Sequence, residues 1–376
     1  MIPLRGRALR LSARLIPLVV AAWWSTGSLL AQTRGSAKPA TLAELESQAI
    51  KDSLDAEAHY QLGARYLELK RWDDAERQLN TTIAIEPHFA RGYLSLAYLP
   101  YARNGKLLEH QQKGTLSTEE RDSVARSLRL ERQAFLIDPF VDLMDLRDEA
   151  RLGSQLRFTR EGYELHIEYA PLESLPNQRV WFHGLAAAHI HNYEEAIRTF
   201  QVLLNRETRR EHSDSLIPIP LRTNDYRYIL AVIYQQWGKP ADALEQYQAA
   251  VAGDLGLYMA HARLAQMYKE HRMWDKAIEE AQAAVQANSD DSDLLMDLGK
   301  IQASADQVAA AEQTLRSALE RNPRDPRIPY ELGMVEQLNN DTAAAKLHFD
   351  RFIAIAPSRM ATEVSDAQRR LVTLAP

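Results

Sequence analysis

The chain has no cysteine, so disulfides, thiolate metal sites and a cysteine nucleophile are excluded. Glycine is scarce, 15 of 376 residues, while Ala, Leu, Glu, Gln and Arg are abundant, a balance that favours helix. A glycine-rich phosphate loop and an HExxH arrangement are missing, and Gly153-Ser154 has no nucleophile elbow around it. Past Ala31 there is no basic run, which counts against nucleic acid, because phosphate contacts need clustered cations. What remains is a globular composition, 45% hydrophobic and 26% charged, sufficient to build a core.

Residues 1–31 have the anatomy of a secretory signal peptide. Arg5, Arg7, Arg10 and Arg14 form a basic start without an acid, and an apolar run from Leu15 to Leu30 follows, ending at Ala31 before Gln32. The alternative is an uncleaved membrane anchor, although the run is shorter than the ~20 residues a spanning helix needs. Removing the four arginines takes Lys+Arg from 45 to 41 against 51 acids, so the net charge moves from −6 to −10. The expected location is periplasmic or secreted, with membrane contact only if the segment is retained. Residues 32–44 read as a flexible linker.

The rest of the chain is dominated by one constant interval. Leu230, Leu264, Leu298 and Leu332 are each followed by a small residue (Ala231, Ala265, Gly299, Gly333), and twelve residues later by Ala243, Ala277, Ala311 or Ala345. Two helices pack closely only where the crossing residues are small, so the period implies stacked helix–turn–helix units. In residues 292–325 the first helix carries Leu295, Leu298 and Gly299, the second Ala311, Leu315 and Ala318, and Pro323 ends it.

This pattern resembles the tetratricopeptide repeat (TPR) family. Unit 56–89 matches with Leu62, Gly63, Tyr66, Ala75, Leu79 and Pro87, and unit 177–210 with Gly184, Tyr193, Ala196 and Phe200, although His183 replaces the usual Leu. Units 224–257, 258–291, 292–325 and 326–359 follow, the first without the terminal proline. A further unit is interrupted: Tyr93, Leu96 and Ala97 belong to its first helix, Ala134, Phe135, Ile137 and Pro139 end its second, and the insertion spans Tyr101 to Leu116. Ser117-Thr118-Glu119-Glu120 reads as a capping box that restarts the helix. The resemblance implies an all-α, right-handed superhelical solenoid with insertions: N-terminal units over 45–140, an irregular segment over 141–176, and C-terminal units with a capping helix over 177–376.

Within 141–176, Tyr163, Leu165, Ile167 and Tyr169 alternate with Glu164, His166 and Glu168 after a Gly162 turn signal, which suits either a short hairpin or an irregular helical repeat. A second insertion, Glu211 to Thr223, contains Ile217-Pro218-Ile219-Pro220 and is extended. Val364, Ala367 and Leu371 mark a capping helix in the tail from Ser358 to Thr373.

Catalysis has little to stand on. His183, His189 and His191 cluster in one unit, but His189 and His191 point about 200° apart on a helix and His183 falls at the packed crossing, which suits packing and turn roles rather than a metal. Glu164, His166 and Glu168 would share a strand face that could hold a divalent ion, although such an alternation more often marks a solvated edge. No catalytic residue, cofactor or metal ligand is therefore assigned. In the family, certain first-helix positions line an inner groove; carried onto this chain they give Tyr60, Tyr98, Trp181, Tyr228, Lys300, Tyr330 and Met334. Family members that grip acidic C-terminal tails of heat-shock chaperones use a Lys where Tyr60, Trp181, Tyr228 and Tyr330 stand, so the resemblance implies an apolar or aromatic-contacting ligand here. The expected function is a non-catalytic protein–protein interaction scaffold of the cell envelope, binding a peptide or partner protein. The alternatives are a membrane-anchored envelope assembly factor and a metal-dependent enzyme using 141–176.

Overall fold

The structure, a computed structural model, describes residues 40–141, 156–159, 162–165, 171–211 and 221–374. The described residues gather into two compact units, one from those within 100–128 and 142–250, the other from those within 28–99, 129–141 and 251–376. Helix α1 (Leu42–Lys51) leads into the pair α2 (Ala56–Glu68) and α3 (Trp72–Ile85), then α4 (Ala90–Arg103), α5 (Leu107–Lys113) and α6 (Thr118–Ile137). After the strands β1 (Leu156–Thr159) and β2 (Gly162–Leu165) come the pairs α7 (Asn177–His189) with α8 (Tyr193–Glu211) and α9 (Thr223–Gln236) with α10 (Pro240–Gly253). The regular array follows: α11 (Tyr258–Glu270) with α12 (Trp274–Ala287), α13 (Ser292–Ser304) with α14 (Val308–Arg321), and α15 (Arg327–Leu338) with α16 (Thr342–Ile355). Helix α17 (Ala361–Thr373) caps it.

The crossing inside each pair has the build that the period implies. Ala75, Ala196, Ala243, Ala277, Ala311 and Ala345 are all fully buried. The small residue of the first helix faces a large one sixteen positions later: a Cβ added to Gly299 would lie 2.7 Å from Leu315, and one on Gly333 2.8 Å from Phe349. Gly184 stands in the same relation to Phe200, at 2.8 Å. Glycine is needed there for space; its backbone freedom is not used.

The turn between the paired helices also repeats. Its fifteenth-position residue has a positive φ in six units: Lys70 (56°), His191 (60°), Gly238 (74°), Arg272 (55°), Asp306 (64°) and Asn340 (61°). The next residue donates its N–H to the carbonyl five positions back, as in Arg71 to Tyr66, Met273 to Tyr268 and Gln307 to Gln302, each at 2.9 Å. This left-handed cap satisfies carbonyls at the end of the first helix. Only one unit uses glycine for it, so the composition gave no sign of this feature.

The irregular segments differ from their expectations in detail. The Tyr101–Leu116 insertion holds a helix of its own, α5, whose Leu107 is buried with Tyr101 and Val124. The capping box at its end is formed: Ser117 N–H donates to Glu120 Oε2 at 2.9 Å, and Glu120 N–H to Ser117 Oγ at 3.2 Å. Residues 141–176 contain the hairpin, β1 antiparallel to β2 with Leu156 opposite Leu165 and Thr159 opposite Gly162, so the all-α expectation carries one small sheet. His166, Ile167, Glu168 and Tyr169 lie outside the described residues, as do 1–39 with the expected signal segment and 212–220 with Ile217-Pro218-Ile219-Pro220. The expected linker ends earlier than residue 44, because Thr41 caps α1 in a capping box with Glu44. Helix α17 does cap the array: Ala367 is fully buried with Phe349 and Phe352, and Val364 and Leu371 pack beside it.

Candidate protein-binding surface

In the regular array the first helices lie side by side. Helix α11 packs against α13 and α13 against α15, whereas no contact of that extent joins α12 to α14 or α14 to α16. The first helices therefore form the inner side of the curve of this array and present one continuous surface. Its accessible side chains are polar: Gln266 and Asp297 are exposed, and Lys300 pairs with Glu331 at 3.3 Å.

The aromatic lining expected for that surface is used internally, and the expectation is corrected for several residues. Tyr228 is fully buried with its ring 6.0 Å from that of Tyr247, and Tyr98 is buried too. Neither ring is available to a ligand, and that of Tyr228 packs down onto its own helix pair. Trp181, half-buried, packs edge-on against Phe200 (5.4 Å) and Tyr226 (6.5 Å). Tyr60 packs 5.1 Å from Phe89 with the Arg91 guanidinium over its face. Tyr330 and Met334 are taken up by the capping helix: both join the Phe349 and Phe352 cluster, and the Tyr330 hydroxyl donates to Asp366 at 2.8 Å. Burial and the Asp366 carboxylate push the Tyr330 phenol up to about 12. Of the seven residues, Lys300 alone belongs to the polar inner surface just described.

The three clustered histidines do not converge. His183 is buried and bonded through Nε2 to Glu195 Oε1 at 2.6 Å, across the α7–α8 pair. His189 and His191 are exposed at the turn, where His191 Nδ1 meets the Tyr193 hydroxyl at 3.0 Å. Burial opposes ionisation of Glu195, but Arg198 and His183 outweigh it and hold the carboxyl below its usual range. The same cross-pair bond recurs between Gln235 and Tyr247, Gln302 and Thr314, and Glu336 and His348, each twelve residues apart. These are structural staples.

A second polar region went unseen at the level of sequence. In the unit that contains both, the loop edge of the N-terminal repeat meets the inter-repeat loops of the C-terminal array. Asn322 Nδ2 donates to the Ile85 carbonyl at 3.1 Å, and Ser358 Oγ to Asp52 Oδ2 at 2.8 Å. Arg359 reaches Asp55 at 2.9 Å. Farther along, Gln133 donates to the Tyr258 hydroxyl at 2.7 Å, and Arg263 to the Ile137 carbonyl at 3.2 Å. Between these lies a cluster in which His88 Nε2 is 3.0 Å from Asp291 Oδ2 and His88 Nδ1 is 3.6 Å from Asp293 Oδ2. Arg327 bonds Asp293 Oδ1 at 2.5 Å and grips Asp325 through two nitrogens, at 2.9 and 2.7 Å. Burial pushes the Asp293 carboxyl up to about 6, against the pull of Arg327 and His88. The one sequence signal was the recurrence of Asp at 291 and 325, where each accepts from the N–H two residues on, at 3.0 and 2.8 Å, at the start of a first helix.

Consecutive helix pairs, a small-against-large crossing and a repeated left-handed turn define an all-α repeat protein whose units recur at one constant interval. The family model described as "Tetratricopeptide repeat" matches residues 268–329, so that stretch of the chain is similar to tetratricopeptide repeats. No curated protein matches it. Among solved structures, the chain is similar to MamA (residues 41 to the end) from Desulfovibrio magneticus RS-1, at 16% identity over 48% of this chain and 94% of that one, with a TM-score of 0.40. It is similar also to the C-terminal part of a TPR repeat-containing protein from Cytophaga hutchinsonii, at 12% identity over 66% and 87% of the two chains, with a TM-score of 0.46.

Proposed function

We propose that the protein is a non-catalytic scaffold of the cell envelope that holds a partner protein or peptide on the inner face of its first helices. The supporting observation is the side-by-side packing of α11, α13 and α15, which offers an extended surface. Because Tyr98, Tyr228, Tyr330 and Met334 are engaged within the fold, the partner contacts are polar, made with Gln266, Asp297, Lys300 and Glu331. Export rests on the Arg5–Ala31 segment, with its basic start and apolar run. No helix among the described residues is long and apolar enough to cross a membrane.

The test is a photo-cross-linking side chain placed at Lys300 or, on the second helix, at Glu320, in the full chain expressed in its own cells. Discrete adducts from position 300 and none from 320 are expected. Equal labelling from both positions would move the site off this face. The intact mass of the same purified protein reports export: a chain beginning at Gln32 supports it, and a chain retaining residues 1–31 turns the reading to the anchored alternative.

A further inference from the structure

Three carboxylates, Asp291, Asp293 and Asp325, are buried together at the loop edge. The guanidinium bonded to them is that of Arg327, which is taken up by Asp325 and by Asp293 Oδ1. Three negative charges against one positive leave two uncompensated, and a buried charge without a partner is costly. The hydrogen bonds locate the deficit. Asp291 Oδ1 accepts from the Asp293 N–H, and its Oδ2 faces His88 Nε2 at 3.0 Å and the Asn288 amide at 3.2 Å. Asp293 Oδ2 has no hydrogen-bond partner.

The histidine tautomer sharpens this. With Nε2–H donating to Asp291, the lone pair of a neutral His88 is on Nδ1, and Nδ1 faces the unpartnered Asp293 Oδ2 at 3.6 Å. That gap is too long for a hydrogen bond and leaves two electron-rich atoms opposed. It is the right gap for a cation: bonds of ~2.0–2.1 Å from a metal to both atoms would subtend an angle of roughly 120°. One ligand atom from each of His88, Asp291 and Asp293 lies within 4.8 Å of the other two. A carboxylate on the far ring nitrogen is also the usual companion of a metal-bound histidine.

We propose that His88 Nδ1 and Asp293 Oδ2 bind one divalent first-row cation, Zn2+ or Mn2+, with Asp291 fixing the ring from its far nitrogen, and that this ion ties the N-terminal repeat to the loops of the C-terminal array. One imidazole with carboxylates suits these ions better than Ca2+ or Mg2+, which prefer all-oxygen shells. The role is structural, since His88 comes from the loop between α3 and α4 and both aspartates from the start of α13. The ion supplies the two missing positive charges. The inference is independent of which partner, if any, the inner face holds.

The full chain, stripped with a chelator, is titrated calorimetrically with ZnCl2 and with MnCl2, and its thermal transition is followed with and without each ion. One site per chain and a raised transition are expected with at least one ion. His88→Gln and Asp293→Asn should each weaken binding ~10-fold or more, while His191→Ala, at the exposed turn, leaves it unchanged. No stoichiometric uptake of either ion, uptake unaffected by His88→Gln, or loss on His191→Ala would each overturn the assignment. X-ray absorption at the zinc edge of the wild-type chain gives a readout that needs no variant to fold. A shell with one imidazole and oxygens supports the site, and a shell with several imidazoles or with oxygen alone refutes it.

Discussion

The helix crossings and the loop edge are built from opposite materials. At a crossing, Gly299 against Leu315 or Gly333 against Phe349, contact is apolar, repeats at a fixed interval along the chain and joins segments sixteen residues apart. At the loop edge, Asn322 meets Ile85 and His88 meets Asp291, 237 and 203 residues apart, through hydrogen bonds and ion pairs that occur once each. The crossings give each pair its stability by burying area. The edge specifies, through its polar contacts, which distant loops meet. The difference predicts separable effects: damage at a crossing is large and global, whereas damage at the edge is smaller and confined to the N-terminal repeat.

The largest expected effect is at the fully buried Phe349. Phe349→Ala removes the ring that Gly333 leaves room for and should cost ~3–5 kcal/mol. Urea denaturation checks it, with amide exchange rising through α15, α16 and α17 together. Gly299→Ala attacks the same kind of contact by overfilling, since the new methyl would lie 2.7 Å from Leu315, and a cost of ~1–3 kcal/mol is expected. If Gly299→Ala proved neutral, the crossing would be looser than its distances imply, and the contrast with the edge would weaken.

At the edge, Asn322→Ala leaves the buried Ile85 carbonyl without its donor. A loss of ~1–2 kcal/mol is expected, with faster amide exchange over residues 85–93 and none through α15 and α16. Uniformly faster exchange would mean that edge and crossings unfold as one.

These two regions were unequally legible in the sequence, for a physical reason. A crossing imposes one steric demand per unit, so Ala243, Ala277, Ala311 and Ala345 appear at a constant interval and reveal the helix pairs without coordinates. The capping box at Ser117 was legible because both its partners lie within three residues. His88 carries no such mark: its partners come from a loop two hundred residues on, and no period relates them. The groove aromatics failed in another way. Position alone placed Tyr228 and Tyr330 on the inner face, but a ring's burial depends on what covers it, and for Tyr330 that is α17. A family position constrains where a Cβ projects and leaves open whether the ring beyond it meets water.

Acid sensitivity separates the polar staples from the apolar crossings on a finer scale. Glu195 is held below its usual carboxylate range in the folded chain, so its contribution is present above the unfolded value and is lost as pH falls toward the folded one. The wild-type chain should therefore lose stability with acid more steeply than Glu195→Gln, a difference read from urea midpoints compared across the acidic range. An unchanged slope would show that His183 and Arg198 contribute nothing measurable through that carboxylate.

The smallest effect expected is a gain, and it tests whether the turns belong with the crossings. Arg272 adopts a φ of 55°, where a side chain other than glycine is strained, yet its neighbour Met273 still donates to Tyr268 at 2.9 Å. Gly238 occupies the equivalent turn at 74° without that strain, so the bond pattern does not depend on the side chain. Arg272→Gly should then stabilise the chain by up to ~1 kcal/mol, the relief of left-handed strain being partly offset by glycine's greater freedom when unfolded. Gly238→Ala should do the reverse by a similar amount. If Arg272→Gly destabilised instead, the arginine would have to make favourable contacts that outweigh its strained backbone, and the turn would be specified residue by residue, as the loop edge is, rather than by the repeat.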